Sequence, residues 1–153
     1  MIRYYEKIKL YGAGHPQIPH KYFGVEAENE EGGLVRMDGN TEIGGLEGGF
    51  SPMQLLLAGI GGCSAIDIIG ILEKQKQDLK DLRVEVNGDK QKKETYSEFT
   101  TIHLKFIFSG DLDPRKVERA IDLSINKYCS VSKMLDQTVD IQYQVELNGE
   151  LLE

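Results

Sequence analysis

The sequence predicts an α+β fold, and three observations carry that reading. Several short runs alternate apolar and polar residues, a period of two that suits half-buried strands. Two other runs, opening at Ser51-Pro52 and Asp113-Pro114, set a capping side chain before a proline at the first helical position. The runs fall in the order three strands, a long helix, two strands, a helix and a strand, so helices do not alternate with single parallel strands.

From Tyr4 to Tyr11, Ile8 and Leu10 face one way and Lys7 and Lys9 the other, which predicts the first strand. The GAGHPQIPH stretch that follows holds two glycines and two prolines and reads as a surface loop. Phe23, Val25 and Ala27 mark a second strand. After a turn at Glu31, Gly32 and Gly33, Leu34 to Asp38 marks a third. A glycine-rich loop, DGNTEIGGLEGG, leads to the Ser51 cap and a long apolar helix that charged Glu73, Lys74 and Lys76 end.

Leu82, Val84 and Val86, and later Ile102, Leu104, Phe106 and Phe108, alternate with polar neighbours and predict two strands, antiparallel across a polar turn near residues 88 to 97. Val117, Ala120, Ile121, Ser124, Ile125 and Tyr128 form one helical face with Cys129 at its end, and Val131, Met134 and Leu135 suit one further turn of helix. Val139, Ile141, Tyr143, Val145 and Leu147 give the last strand. No repeat or linker divides the chain, so one domain over residues 1–153 is expected.

Charge narrows the function. Lys and Arg total 18 against 25 for Asp and Glu, a net charge of −7. Coating a nucleic acid takes basic charge, and an anionic membrane surface would repel this chain, so neither partner is expected. Two cysteines sixty-six residues apart do not make a disulfide scaffold, and the opening MIRYYEKIKLYG shows no export signal; a reducing cytoplasm is expected. The run from Pro52 to Leu72 would span about 30 Å as a helix, roughly a bilayer core. Asp67 near its middle would cost about 3 kcal/mol in lipid, which favours a central buried helix instead.

Gly59, Gly61, Gly62, Ser64 and Ala65 surround Cys63 with small side chains, and each interior glycine costs the helix about 1 kcal/mol relative to alanine. Close approach of another backbone would offset that cost, either within the chain or from a second copy. A free cysteine on an apolar helix is commonly a small core residue, and Cys129 alone reads the same way. Together the two stand out, each beside a helix and each followed by serine, in GGCSAID and YCSVS. Composition does not pair them. Two cysteines with His15, His20 and His103 lack the short spacings of zinc sites, and IGGLEGG lacks a phosphate-loop lysine, so no metal and no cofactor is expected. No nucleophile elbow or Ser-His-Asp order is present.

The runs SPMQLLLAGIGGCSAIDIIGIL, FTTIHLKFIFSG and AIDLSINKYCSVSKMLDQTVDI closely resemble the OsmC/Ohr family of osmotically inducible and organic hydroperoxide resistance proteins, and look most like its OsmC-like branch. The resemblance runs from about Gly48 to Val145. It implies an OsmC-like fold with antiparallel sheets around long central helices in an intertwined homodimer. It also implies a thiol-dependent peroxidase acting on a small organic peroxide, with Cys63 as the peroxidatic cysteine, Cys129 as the resolving cysteine and a dithiol as reductant. Arg36, in LVRMDG, matches the arginine that OsmC-type members use to activate the thiol, on its own chain or toward the partner subunit's Cys63. An edge-strand surface arginine would look the same. Where Ohr-type members carry their arginine, this chain offers His15, His20 and Lys21.

The family glutamate that holds the arginine is replaced by Met53; Gln54 next to it can hydrogen-bond an arginine but supplies no charge, and Glu47 upstream reads either as a substitute or as a solvated loop carboxylate. Asp67 lies one helical turn after Cys63 on the same face. Ionised and unpaired there, it would raise the thiol pKa and oppose peroxidase chemistry, so a structural bond to a backbone amide or a lysine is expected. A second reading is therefore an OsmC-like protein without significant turnover that binds a small hydrophobic ligand or senses redox state.

Overall fold

The computed structural model of the chain describes residues 7–12 and 24–152, and the molecule divides into two compact units, Met1–Leu56 and Leu57–Glu153. The expected strand residues Tyr4 to Glu6, and the loop and strand residues 13–23 with His15, His20, Lys21 and Phe23, lie outside the described residues.

In the first unit, alternation becomes an antiparallel sheet of β1 (Ile8–Tyr11), β2 (Val25–Asn29) and β3 (Leu34–Met37), in that spatial order. Gly32 takes φ 82° in the turn between β2 and β3, and the Asn29 side chain accepts the Gly33 N–H at 2.6 Å. The apolar side of β1 is not buried as its pattern suggests: Ile8 and Leu10 are 64% and 65% exposed. Beyond β3, the buried Asp38 carboxylate accepts the N–H groups of Leu46 and Gly48 at 2.9 and 2.8 Å. Phe50 then pairs back onto the strand, its N–H donating to the Arg36 carbonyl at 3.0 Å. A Cβ at Gly49 would stand 2.5 Å from that carbonyl oxygen, so the close approach requires glycine.

The second unit carries most of α1 (Pro52–Lys74), followed by β4 (Asp78–Lys92), β5 (Ser97–Asp111), α2 (Pro114–Leu123), α3 (Ser130–Leu135), β6 (Asp140–Leu147) and β7 (Glu150–Leu151). The helix begins where the cap and proline place it. Ser51 and Gln54 form a capping box, the Gln54 N–H donating to Ser51 Oγ and the Ser51 N–H to Gln54 Oε1 at 2.8 Å. The expectation of a buried helix holds along one stripe, Ile60, Gly61, Ser64, Ile68 and Leu72, at helical spacing. The remainder is half-buried or exposed, with Ile66 74% and Ile69 45% exposed. By length and composition alone, α1 would also suffice to cross a membrane.

Strands β4 and β5 form an antiparallel hairpin that pairs as far as Lys92 opposite Ser97, so the turn is shorter than the polar run between them suggests. Ladder hydrogen bonds need no apolar side chain, which is why Lys90, Gln91 and Lys92 belong to the strand. Where the hairpin passes α1, a Cβ at Gly61 would lie 2.9 Å from Val86 Cγ2. The missing Cβ of Gly88 would lie 2.4 Å from the ring of buried Phe99. Gly88→Ala is therefore expected to destabilise the protein by about 1–3 kcal/mol, read as a lower denaturation midpoint.

Strand β6 joins β5 in parallel, the exception in an otherwise antiparallel sheet of order β4-β5-β6-β7. The α2–α3 crossover returns the chain to the starting edge of β5, as parallel pairing requires. On β5, Ile102, Leu104, Phe106 and Phe108 are at most 1% exposed and build the core together with Val117, Ala120 and Ile121 of α2. The short β7 carries no apolar pattern that would have announced it.

Candidate active site

Two helices supply the sulfur chemistry. Cys63 sits half-buried in the middle of α1, one residue before the buried stripe position Ser64. Cys129 arrives by a different route. After α2 the chain widens into a single π-type turn, Ser124–Tyr128, and the Cys129 N–H donates to the Ser124 carbonyl at 2.8 Å. Cys129 then leaves the helical region and caps α3, its Sγ accepting the Ser132 N–H at 3.3 Å. A thiol thus does the work that a serine or aspartate oxygen usually does at a helix start.

The outcome is a cluster. Cys63 Sγ, a carboxylate oxygen of Asp67 and Cys129 Sγ all lie within 4.8 Å of one another. A disulfide needs the sulfurs at about 2 Å, so less than about 3 Å remains to be closed. Cys129 is wholly buried, and the Ser64 hydroxyl, which donates to the Ile60 carbonyl at 2.7 Å, stands 3.6 Å from its sulfur. Burial pushes the Cys129 thiol above its ordinary pKa and the neighbouring Cys63 thiol adds to the rise, while the Ser132 amide and Ser64 hydroxyl pull the other way.

Asp67 does face the sulfurs, but its partner is not the expected amide or lysine. Ser124 Oγ, on the π-type turn, lies 3.3 Å from Asp67 Oδ2 and 3.4 Å from the Ser64 carbonyl oxygen, a hydroxyl shared between two acceptors. Among the described residues, no cation is ion-paired to Asp67.

Arg36 belongs to the first unit. It stands on β3 directly opposite Glu26 of β2, and its Nη2 donates to Glu26 Oε2 at 3.3 Å. The arginine is half exposed and the glutamate side chain is only 8% exposed. Arg36 therefore has an acidic partner, supplied by the neighbouring strand. Counting outward from the turn at Glu31 sets residue 26 across from residue 36, so the sequence did contain that signal. Of the positions considered for this part, Gln54 commits its side chain to the capping box, and Glu47 is exposed with φ 55°. His103 pairs with Asp89 at 3.0 Å on the β4–β5 hairpin.

The serines at 64, 124 and 132 are hydrogen-bonding neighbours of this site that the sequence does not single out for that part. Two of them directly follow or closely trail a cysteine, and all three are at most 1% exposed.

Comparison with known proteins adds the relatives. A family model described as OsmC-like protein matches residues 44–144. Protein YhfA of Escherichia coli (strain K12) is 41% identical over 121 residues, which cover 78% of this chain and 87% of YhfA. A hypothetical protein from Aquifex aeolicus VF5 has a similar structure, with a TM-score of 0.75 at 26% identity, covering 95% of this chain and 99% of that one. The organic hydroperoxide resistance protein OsmC from Legionella pneumophila shares the fold, with a TM-score of 0.70 at 21% identity and coverage of 95% and 99%.

Proposed function

The chain belongs to the OsmC/Ohr family of OsmC-like proteins, and from that membership we propose that it is a thiol-dependent peroxidase that reduces organic hydroperoxides in a reducing cytoplasm. The observation that carries the proposal is the approach of Cys63 and Cys129 sulfurs to within 4.8 Å. Cys63 thiolate attacks the peroxide O–O bond; the distal oxygen stays on sulfur as a sulfenic acid and the other leaves, with a proton, as the alcohol. Cys129 then displaces hydroxide from that sulfur, giving water and the Cys63–Cys129 disulfide. A dithiol reductant returns both thiols and is itself oxidised to a disulfide. Arg36, oriented by Glu26, is the group we assign to favour the Cys63 thiolate.

Cumene hydroperoxide added to the reduced protein tests this. Both thiols should vanish within the first turnover and return with excess dithiol, and Arg36→Ala should slow their loss by about 10–100-fold, the scale expected when a charge that favours the thiolate is removed. Thiol loss no faster than that of a free cysteine would reject turnover. It would favour the second reading, redox sensing or ligand binding without turnover, which the Asp67 carboxylate beside Cys63 supports.

The working unit we propose is a homodimer. Ile66 and Ile69 of α1 are exposed, and no described residue stands against the positions of Gly62 and Gly70, so a second copy of this face would bury an apolar surface that the described residues leave uncovered. Sedimentation equilibrium at micromolar concentration should give twice the 17.2 kDa chain mass, and a monomer would reject the assembly.

A further inference from the structure

The cluster around Cys63 has a donor set that peroxide chemistry does not need. Peroxidase turnover calls for two sulfurs, yet a third ligating group, Asp67, stands within the same 4.8 Å. We propose that the reduced protein binds a thiophilic divalent cation of the zinc type through Cys63 Sγ, Asp67 carboxylate and Cys129 Sγ. The inference rests on that geometry and does not depend on peroxidase turnover.

Chemistry and spacing both fit. Two thiolates with one harder donor, and a fourth position left for water, is the pattern of open zinc sites, and soft sulfur ligands select such a metal over magnesium or calcium. Cys63 and Asp67 are four residues apart on one helix face, so a rigid element presents two ligands together. The third comes from the cap of α3, whose conformation the Ser132 N–H bond to Cys129 Sγ fixes. Sulfurs bound at about 2.3 Å in a tetrahedron lie about 3.8 Å apart, so the two sulfurs need to draw together by no more than about 1 Å.

Two of the three ligands, buried Cys129 and half-buried Asp67, already have a supporting group. Ser132 N–H points at Cys129, and Ser124 Oγ at Asp67 Oδ2, which is how outer hydrogen bonds orient metal ligands. Binding takes both sulfurs as thiolates and releases their protons, and the dication offsets the negative charge so created beside Asp67, which has no ion-paired cation among the described residues.

Binding and oxidation exclude one another. When an organic peroxide takes two electrons from the two thiolates, with two protons it yields an alcohol and water, and the disulfide left behind no longer ligates the ion. The ion is therefore held by the reduced form and released by the oxidised one.

Cobalt(II) is the probe, added without peroxide to the reduced chain under anaerobic conditions. One equivalent should produce sulfur-to-cobalt charge-transfer absorption in the near ultraviolet with visible bands of a tetrahedral ion, and zinc should abolish both. Cys63→Ser should lose most of the charge-transfer intensity, and Asp67→Asn, of nearly equal size, should weaken cobalt binding more than tenfold with α1 intact by circular dichroism. Ser124→Ala should weaken it about tenfold. Absence of the charge-transfer band at equivalence, or unchanged affinity in Asp67→Asn, overturns the three-ligand site. A chain that binds cobalt yet consumes no peroxide keeps this site and loses the peroxidase; the reverse result does the opposite.

Discussion

Cys63→Ser is expected to end hydroperoxide consumption, lowering the rate by more than about 10³-fold, because a serine hydroxyl cannot ionise to a comparable nucleophile near neutral pH. The remaining thiol does not compensate. Cys129 is wholly buried, and burial, the largest cause of its raised thiol pKa, persists in the variant, so it is both out of reach and disfavoured as a thiolate. The substitution is nearly isosteric on a half-buried helix position, so a loss of fold does not confound the result. The complementary variant differs in kind. Cys129→Ser should still reduce about one equivalent of peroxide and then stop, with one oxygen added to Cys63 by mass spectrometry, because nothing condenses with the sulfenic acid. Consumption by Cys63→Ser at more than a tenth of the parent rate would remove Cys63 from the nucleophile's role.

Local chemistry made much of the fold readable. Ser51-Pro52 and Asp113-Pro114 fixed two helix starts because capping and the proline φ angle act over a few residues, and Asp113 Oδ1 does accept the Arg115 N–H. The alternation on β5 marked a strand because one face of it is buried almost completely. Strand ends in the β4–β5 hairpin were less legible, since lysines and glutamines pair through their backbones as well as valines do. The parallel partner of β5 could not be read at all, because sequence pattern reports which face is buried and not which strand lies alongside.

The same division applies to the site. Cys63 and Cys129 were identified through family resemblance, and their approach depends on a π-type turn that no periodicity marks. That turn also brings Ser124 to Asp67, which is why the carboxylate found a hydroxyl where an amide or lysine was expected. Spacing along the sequence tests only for ligands that lie close together in the chain, and the grouping of Cys63, Asp67 and Cys129, whose cysteines are sixty-six residues apart, is invisible to it. The Glu26–Arg36 pair was within reach, since an antiparallel register follows from its turn.

The second large effect concerns pH. In the proposed cycle, condensation of Cys129 with the Cys63 sulfenic acid would proceed through the Cys129 thiolate, and that thiol's pKa is raised above the ordinary value of about 8.5–9. Well below the raised pKa, each unit of pH multiplies the thiolate fraction tenfold, so disulfide formation after a single addition of peroxide should quicken by about 100-fold between pH 6.5 and 8.5. The climb should continue past the pH at which an unperturbed thiol levels off. Stability must move the opposite way. A thiol with a raised folded pKa leaves full stability below the unfolded pKa, where both states are protonated; as pH rises above it, the unfolded chain ionises first and stability falls until the folded thiol also titrates. Reduced protein should therefore lose denaturation midpoint above about pH 8.5, and Cys129→Ser should flatten that decline. The two curves test one cause with opposite slopes: a disulfide rate already level at pH 8, together with a midpoint that does not fall above pH 8.5, would mean that Cys129 titrates as an ordinary or acidified thiol.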